Sequence, residues 1–230
     1  MSRGARGQGL VLAVCHELGN LLAAIRLHAA AVIDDPAPAE LARVSVEVDD
    51  LAGRCGALLA QVRALLSEAE ADPDSDAGPP ASPEAVVAAV ADVIEAQGLR
   101  GVRFSMDAGE ALPPVPIASG LMHFLLLTQI SGAADAARPR GSVRLSATGT
   151  GDGKGGEVRF VVEDDGPADA ELEAWRDVAL RGRALACALA SHILEARGGA
   201  LEVGRVGAVT RVELRLPAAR LPTATGRPPV

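Results

Sequence analysis

The stretch LARVSVEVDDLAGRCGALLAQVRAL, residues 41–65, decides how the amino-terminal part of the chain folds. Its apolar positions are Leu41, Val44, Val48, Leu51, Cys55, Leu58, Val62 and Leu65, an unbroken alternation of threes and fours. That spacing holds one apolar stripe along one side of an α-helix, as a coiled-coil seam does. Upstream, Val11, Val14, Leu18, Leu21, Ile25 and Val32 repeat the pattern, with His28 on the same stripe. The run Ile33-Asp34-Asp35-Pro36-Ala37-Pro38 breaks the two apart. The first ~70 residues therefore read as an antiparallel helical hairpin. Two helices cannot bury two long apolar stripes with only each other for cover. A second copy supplies the rest, which predicts a homodimer joined through a four-helix bundle.

Composition sets outer limits. The chain has 230 residues, enough for one large domain or two small ones, and 49% hydrophobic residues argue for a folded core. Aromatics are only 2% and Tyr is absent, so Ala, Val and Leu must build that core. A net charge of −8 argues against nucleic acid, whose phosphates demand a concentrated basic surface. No apolar run reaches the ~20 residues that span a bilayer. Cys15, His16 and Glu17 interrupt the first apolar stretch too early for a signal peptide. Three cysteines, Cys15, Cys55 and Cys187, lie far apart and read as reduced packing residues of a cytoplasmic protein.

Beyond the hairpin (residues 1–69), residues 70–81, EADPDSDAGPPA, are acidic and rich in Pro and Gly, and read as a linker. A second domain follows over 82–220, and 221–230 form a flexible tail. Ser82-Pro83-Glu84 opens a helix, with a capping hydroxyl followed by Pro at the first helical position. Val102–Met106 reads as a strand and Ala118–Ala137 as a Leu-rich helix. Ser142–Ala147 and Glu157–Glu163 read as a hairpin around the turn Gly149–Gly156. A helix from Gly182 stops at Gly198-Gly199, and Leu201–Val203 and Thr210–Leu216 close the sheet. The fold class is α+β, one sheet with helices on one face.

His16 is the residue most suited to chemistry. It lies two positions from the seam residues Val14 and Leu18, about 200° round the helix, and so faces away from the bundle core. Gly19, Asn20, Ala23 and Leu27 share its side. Such a small, partly apolar face suits protein docking better than solvent. An imidazole presented there can act as a nucleophile toward a phosphoryl group delivered by a partner. Glu17 reads either as a carboxylate that polarises the imidazole or as a surface charge. Asn20 reads either as a group that positions water or phosphate or as a polar surface residue. His28 reads as an interface histidine, and His123 and His192 as scaffold.

The run Cys15-His16-Glu17-Leu18-Gly19-Asn20-Leu21-Leu22-Ala23-Ala24-Ile25 resembles the phosphoacceptor box of sensor histidine kinases. It departs from the pattern at Gly19, usually basic, and at Leu21, usually Pro. The resemblance implies a first helix of a dimeric hairpin, followed by an α/β sandwich of the histidine-kinase ATP-binding (Bergerat) type. In that family an asparagine-rich helix holds Mg²⁺, and an Asp-x-Gly-x-Gly turn holds adenine. Val161-Val162-Glu163-Asp164-Asp165-Gly166-Pro167-Ala168 resembles the turn, with Asp164 and Gly166 matching and Ala168 in place of the second Gly. Leu121–Ala136 resembles the helix in register, but Thr128 and Gly132 stand where the asparagines are expected, and Gly brings no oxygen to a hard cation. The Gly-rich loop is reduced to Gly182-Arg183-Ala184-Leu185.

A kinase-like chain with His16 and without metal ligands resembles the dimeric bacterial histidine phosphotransferases of the ChpT type, whose box also begins Cys-His-acid. The resemblance implies phosphorelay transfer between receiver-domain aspartates through His16, with Glu17 and Asn20 beside it. It implies no cofactor in this chain and Mg²⁺ on the partner receivers. Two other readings stay open: an active sensor histidine kinase with a divergent ATP site, and a non-catalytic pseudokinase that binds a response regulator.

Overall fold

The computed structural model describes residues 14–15, 18–27, 30, 41–48, 51–53, 55–56, 59, 80–99, 101–150, 156–169, 172 and 182–219. The chain divides into two compact units, Met1–Ser75 with Ala168–Ile193, and Asp76–Pro167 with Leu194–Val230.

In the first unit the described residues from 14 to 59 are all helical. Val14, Leu21 and Val44, all on the predicted stripes, are buried, but Leu41 on the same stripe is exposed, as are Leu22, Leu27, Val46 and Leu59 off it. Cys187 is buried, Cys55 half-buried and Cys15 exposed, so the packing role read for all three cysteines fails at Cys15. Burial pushes the Cys187 thiol up to about 12, which keeps it protonated and inert.

The second unit is built on a five-stranded sheet. Its strands are β2 (Arg103–Ala108), β4 (Ser142–Thr150), β5 (Glu157–Asp164), β6 (Ala200–Val206) and β7 (Val209–Pro217), in the order β2-β4-β5-β7-β6. Only the β2–β4 pair is parallel. A two-stranded antiparallel sheet joins β1 (Pro80–Ala81) to β3 (Val115–Ala118). Pro80 and Ala81, expected at the end of the linker, form β1, and no strand is expected from the sequence at 115–118. Elements this short carry too little alternation to be seen.

Helix α1 (Pro83–Gln97) starts as its sequence dictates: Pro83 fits the first turn, and the Ala85 N–H donates to Ser82 Oγ at 3.3 Å. Its buried residues Val86, Val87, Val90 and Ile94 lie along one side, at helical spacing. Helix α2 (Ser119–Ala137) buries Met122, Leu125, Leu126, Gln129, Ile130, Ala133, Ala134 and Ala137, and ends before Arg138-Pro139. The two helices pack on each other, α1 against β2 and β4, and α2 against β4 and β5. Helix α3 (Gly182–Ala196) belongs to the first unit up to Ile193, and its last residues, from Leu194, to the second.

Strand alternation separates the two faces of the sheet. Val143, Leu145 and Ala147 on β4, Val158, Phe160 and Val162 on β5, and Val212, Leu214 and Leu216 on β7 are all buried and share one face by register. The opposite face is an ionic ladder. Glu213, only 8% exposed, accepts from Arg211 at 2.9 Å and from Arg215 at 2.8 Å. Burial alone would raise its pKa, but these two guanidinium groups hold the carboxyl below its usual range.

Candidate functional site

His16 and Glu17 lie outside the described residues. Of the predicted site, Asn20 is placed on the exposed side of a helix, with Gly19, Ala23 and Leu27 exposed too. His28 also falls outside the described residues.

The positions that resemble a nucleotide site lie in the second unit. Asp164 ends β5 and is 2% exposed, and the Gly166 N–H donates to its Oδ1 at 3.1 Å. A Cβ placed on Gly166 would lie 2.8 Å from the carbonyl carbon and oxygen of Ala136 on α2. The turn is thus pressed against the helix at a point where only glycine fits. The next carboxylate, Asp165, takes a different role. It accepts the Ser142 N–H and the Ser142 hydroxyl, each at 2.7 Å, and so ties the end of β5 to the start of β4. Those two bonds, the backbone one foremost, hold its carboxyl below the usual range.

On α2, Thr128 Oγ donates to the Phe124 carbonyl at 2.8 Å. This i−4 back-bond is a common fate of a hydroxyl inside a helix. Gly132, one turn further on, has no side chain. Phe124, Thr128 and Gly132 form one stripe by spacing, and the stripe offers hydrocarbon, a hydroxyl turned to its own backbone, and nothing. Magnesium takes oxygen ligands, and this stripe offers no carboxylate or carboxamide and one hydroxyl, whose proton is committed to the Phe124 carbonyl. Among the described residues, no group of three or more His, Cys, Asp or Glu could hold a metal ion. No described helix is long and apolar enough to cross a membrane.

Two residues at this end of the sheet were missed in sequence. Thr210 on β7 pairs with Asp164 on β5 and with Arg205 on β6, so the three form a row across adjacent strands. Thr210 is 3% exposed. The Arg205 guanidinium donates to Thr210 Oγ1 at 3.0 Å, to the Ala208 carbonyl at 2.8 Å, and to the Gly166 carbonyl from both terminal nitrogens at 3.4 and 3.5 Å. Strand β6, expected to end at Val203, runs on to Val206. Carrying its alternation on from Leu201 and Val203 puts Arg205 on the helix-covered face, which is the signal that was available.

No family model and no curated protein matches the chain. Solved structures do match. The histidine kinase AdeS of Acinetobacter baumannii is 17% identical with a TM-score of 0.62, over 88% of this chain and 98% of that one. Full-length ShkA, solved in complex with AMPPNP, is 23% identical with a TM-score of 0.54, over 93% of this chain and 47% of ShkA. The catalytic domain of the histidine kinase ThkA is 14% identical with a TM-score of 0.52, over 61% of this chain and 95% of that one. At these identities the fold is what is shared: this chain has a histidine-kinase-like fold, and its sheet resembles that of the histidine-kinase ATP-binding domain.

Proposed function

We propose that this protein is a phosphorelay histidine phosphotransferase that carries a phosphoryl group between receiver-domain aspartates on His16. The observation that carries this reading is the stripe on α2. Thr128 Oγ is turned onto the Phe124 carbonyl, and Gly132 has no side chain to offer. The residues present do not fit Mg²⁺, and phosphoryl transfer from ATP depends on metal and positioning. The phosphoryl group must then arrive already activated, as the mixed anhydride of an aspartyl phosphate.

The chemistry needs only the imidazole. A neutral ring nitrogen of His16 attacks phosphorus, the N–P bond forms, and the P–O bond to the aspartyl carboxylate breaks, with the electron pair leaving on that carboxylate. The second nitrogen keeps its proton, and the phosphoimidazolium is the donor for the reverse step on a second receiver. Glu17 stabilises the charged ring and Asn20 orients the incoming phosphoryl group. The receivers bring Mg²⁺ and their own carboxylates.

Dimerisation belongs to the same proposal. Val14, Leu21 and Val44 are covered within the chain, while Leu41 on the same seam stays 42% exposed and Leu18, Ile25, Val48 and Leu51 are only half-buried. A second hairpin completing a four-helix bundle supplies cover for apolar surface of this kind.

The test follows label. Receivers phosphorylated on Asp are mixed with the purified protein, and label is expected on His16 within seconds to minutes. His16→Gln is expected to accept none, at least about 100-fold below wild type by the loss of the nucleophile. Labelled ATP with Mg²⁺ is expected to leave the protein unlabelled. Label from ATP on His16 would make the chain a kinase. Loss of neither binding nor cellular effect in His16→Gln would make it a sequestering pseudokinase.

A further inference from the structure

Arg205 breaks the pattern of its own strand. The alternation Leu201, Val203, Arg205 places a guanidinium on the helix-covered face of the sheet, where the neighbouring strands carry Val212, Leu214, Val162 and Phe160. An arginine in such a place needs acceptors, and this one has three. Its two terminal nitrogens straddle the Gly166 carbonyl, and one adds Thr210 Oγ1 while the other adds the Ala208 carbonyl. The bonded fork spans two structures: the β6–β7 turn and the Asp164–Gly166 turn. In the same row lie the carboxylate of Asp164 and the hydroxyl of Thr210, nearly sealed from solvent and directly opposed across β5 and β7.

A carboxylate acceptor beside a hydroxyl is complementary to a planar ligand that carries an amine next to a ring nitrogen, such as an aminopurine. The guanidinium is itself a planar array of N–H donors, and it stands within bonding distance of the same hydroxyl and of the turn's carbonyl. We infer that Arg205 is an internal occupant of this turn: its guanidinium fills the place of an aminopurine at Thr210 and Gly166 and thereby makes the domain refuse nucleotides. The inference rests on the proposal that this domain takes no nucleotide, and it names the residue responsible at the base-binding end, separate from the missing metal ligands on α2. The block is steric. A positive charge would attract phosphates, so an electrostatic role for Arg205 has the opposite sign.

The test uses the full chain and metal-free ligands. Wild type, Arg205→Ala and Arg205→Leu are titrated with adenosine and with ADP, and with uridine, which lacks the exocyclic amine. Wild type is expected to show no saturable binding. Arg205→Ala is expected to gain adenosine and ADP affinity by about tenfold or more, into a measurable range. Arg205→Leu, which keeps bulk without donors, is expected to stay closed. A folded Arg205→Ala that gains nothing, or that gains uridine equally, overturns the inference and leaves the nucleotide-free reading standing. Adenosine binding by wild type overturns both. Should Arg205→Ala fail to fold, wild type itself decides: a guanidinium fixed on three oxygens gives separate, slowly averaging Nη proton signals at low temperature. A single averaged signal overturns the inference.

Discussion

The Asp164–Gly166 turn and the Phe124–Thr128–Gly132 stripe are the two places where the sequence resembles a nucleotide site, yet only the turn carries residues that match that resemblance. The structure gives a reason. Gly166 is held in place by the backbone of Ala136, 2.8 Å from where its Cβ would be, so the fold itself forbids a larger residue. Asp164 anchors the Gly166 N–H from a site with almost no exposure. At Thr128 the side-chain oxygen bonds only its own helix, and Gly132 contributes no side chain. Packing alone is enough to require glycine at position 166, so its presence does not by itself make the turn a nucleotide site.

The comparison breaks first at Gly166. Gly166→Ala drives a methyl group into the Ala136 backbone, which cannot move aside as a flexible side chain would. A loss of about 3 kcal/mol in unfolding free energy is expected from such overpacking, read by urea denaturation. A loss below about 1 kcal/mol would mean that glycine is kept for a ligand after all.

The neighbouring carboxylate sharpens the point. Asp165→Asn keeps the shape but sets an amide N–H against the Ser142 donors. Because Asp165 is exposed and screened, the expected cost at neutral pH is about 1 kcal/mol. Its folded pKa is depressed below the ordinary 3.8, so its contribution is fully present above that value and is lost as pH falls through the folded one. The gap between wild type and Asp165→Asn should thus be constant from pH 7 to about 4.5 and shrink below pH 4. A gap that widens in acid would show that the Ser142 bonds do not favour the ionised form.

Much of this was legible in the sequence, and the limits of that reading are physical. The strands expected at 142–147 and 157–163 announce themselves because one face is packed and the other ionic, which writes alternation into the residues, although the first runs on to Thr150, into the expected turn at 149–156. The capping hydroxyl of Ser82 with Pro83 places the start of α1 to the residue. β1 and β3 were invisible because two- and four-residue strands hold no period. At the site, Asp164 and Gly166 stood out through their motif, whereas Thr210 and Arg205 did not. The alternation Leu201, Val203, Arg205 gives the face of Arg205, but its meeting with Asp164 and Thr210 comes from register across β5, β7 and β6, a relation between residues 41 positions apart (164 and 205).

Thr128 carries the smallest expected effect and the cleanest contrast with Gly166. If its hydroxyl served a cation, replacing it would remove a ligand; if it only bonds Phe124, replacing it removes one back-bond within a helix. That bond duplicates an acceptor already used by the helical ladder, and valine fills nearly the same volume with a methyl in place of the hydroxyl. Valine also shares threonine's branched Cβ, so helix propensity hardly changes. Thr128→Val is therefore expected to alter unfolding free energy by no more than about 0.5 kcal/mol and to leave transfer from a phosphorylated receiver to His16 at the wild-type rate. The measurement pairs urea denaturation with the label-transfer time course. A fall in transfer without a fall in stability would place Thr128 in the working site and undo the distinction between the turn and the stripe.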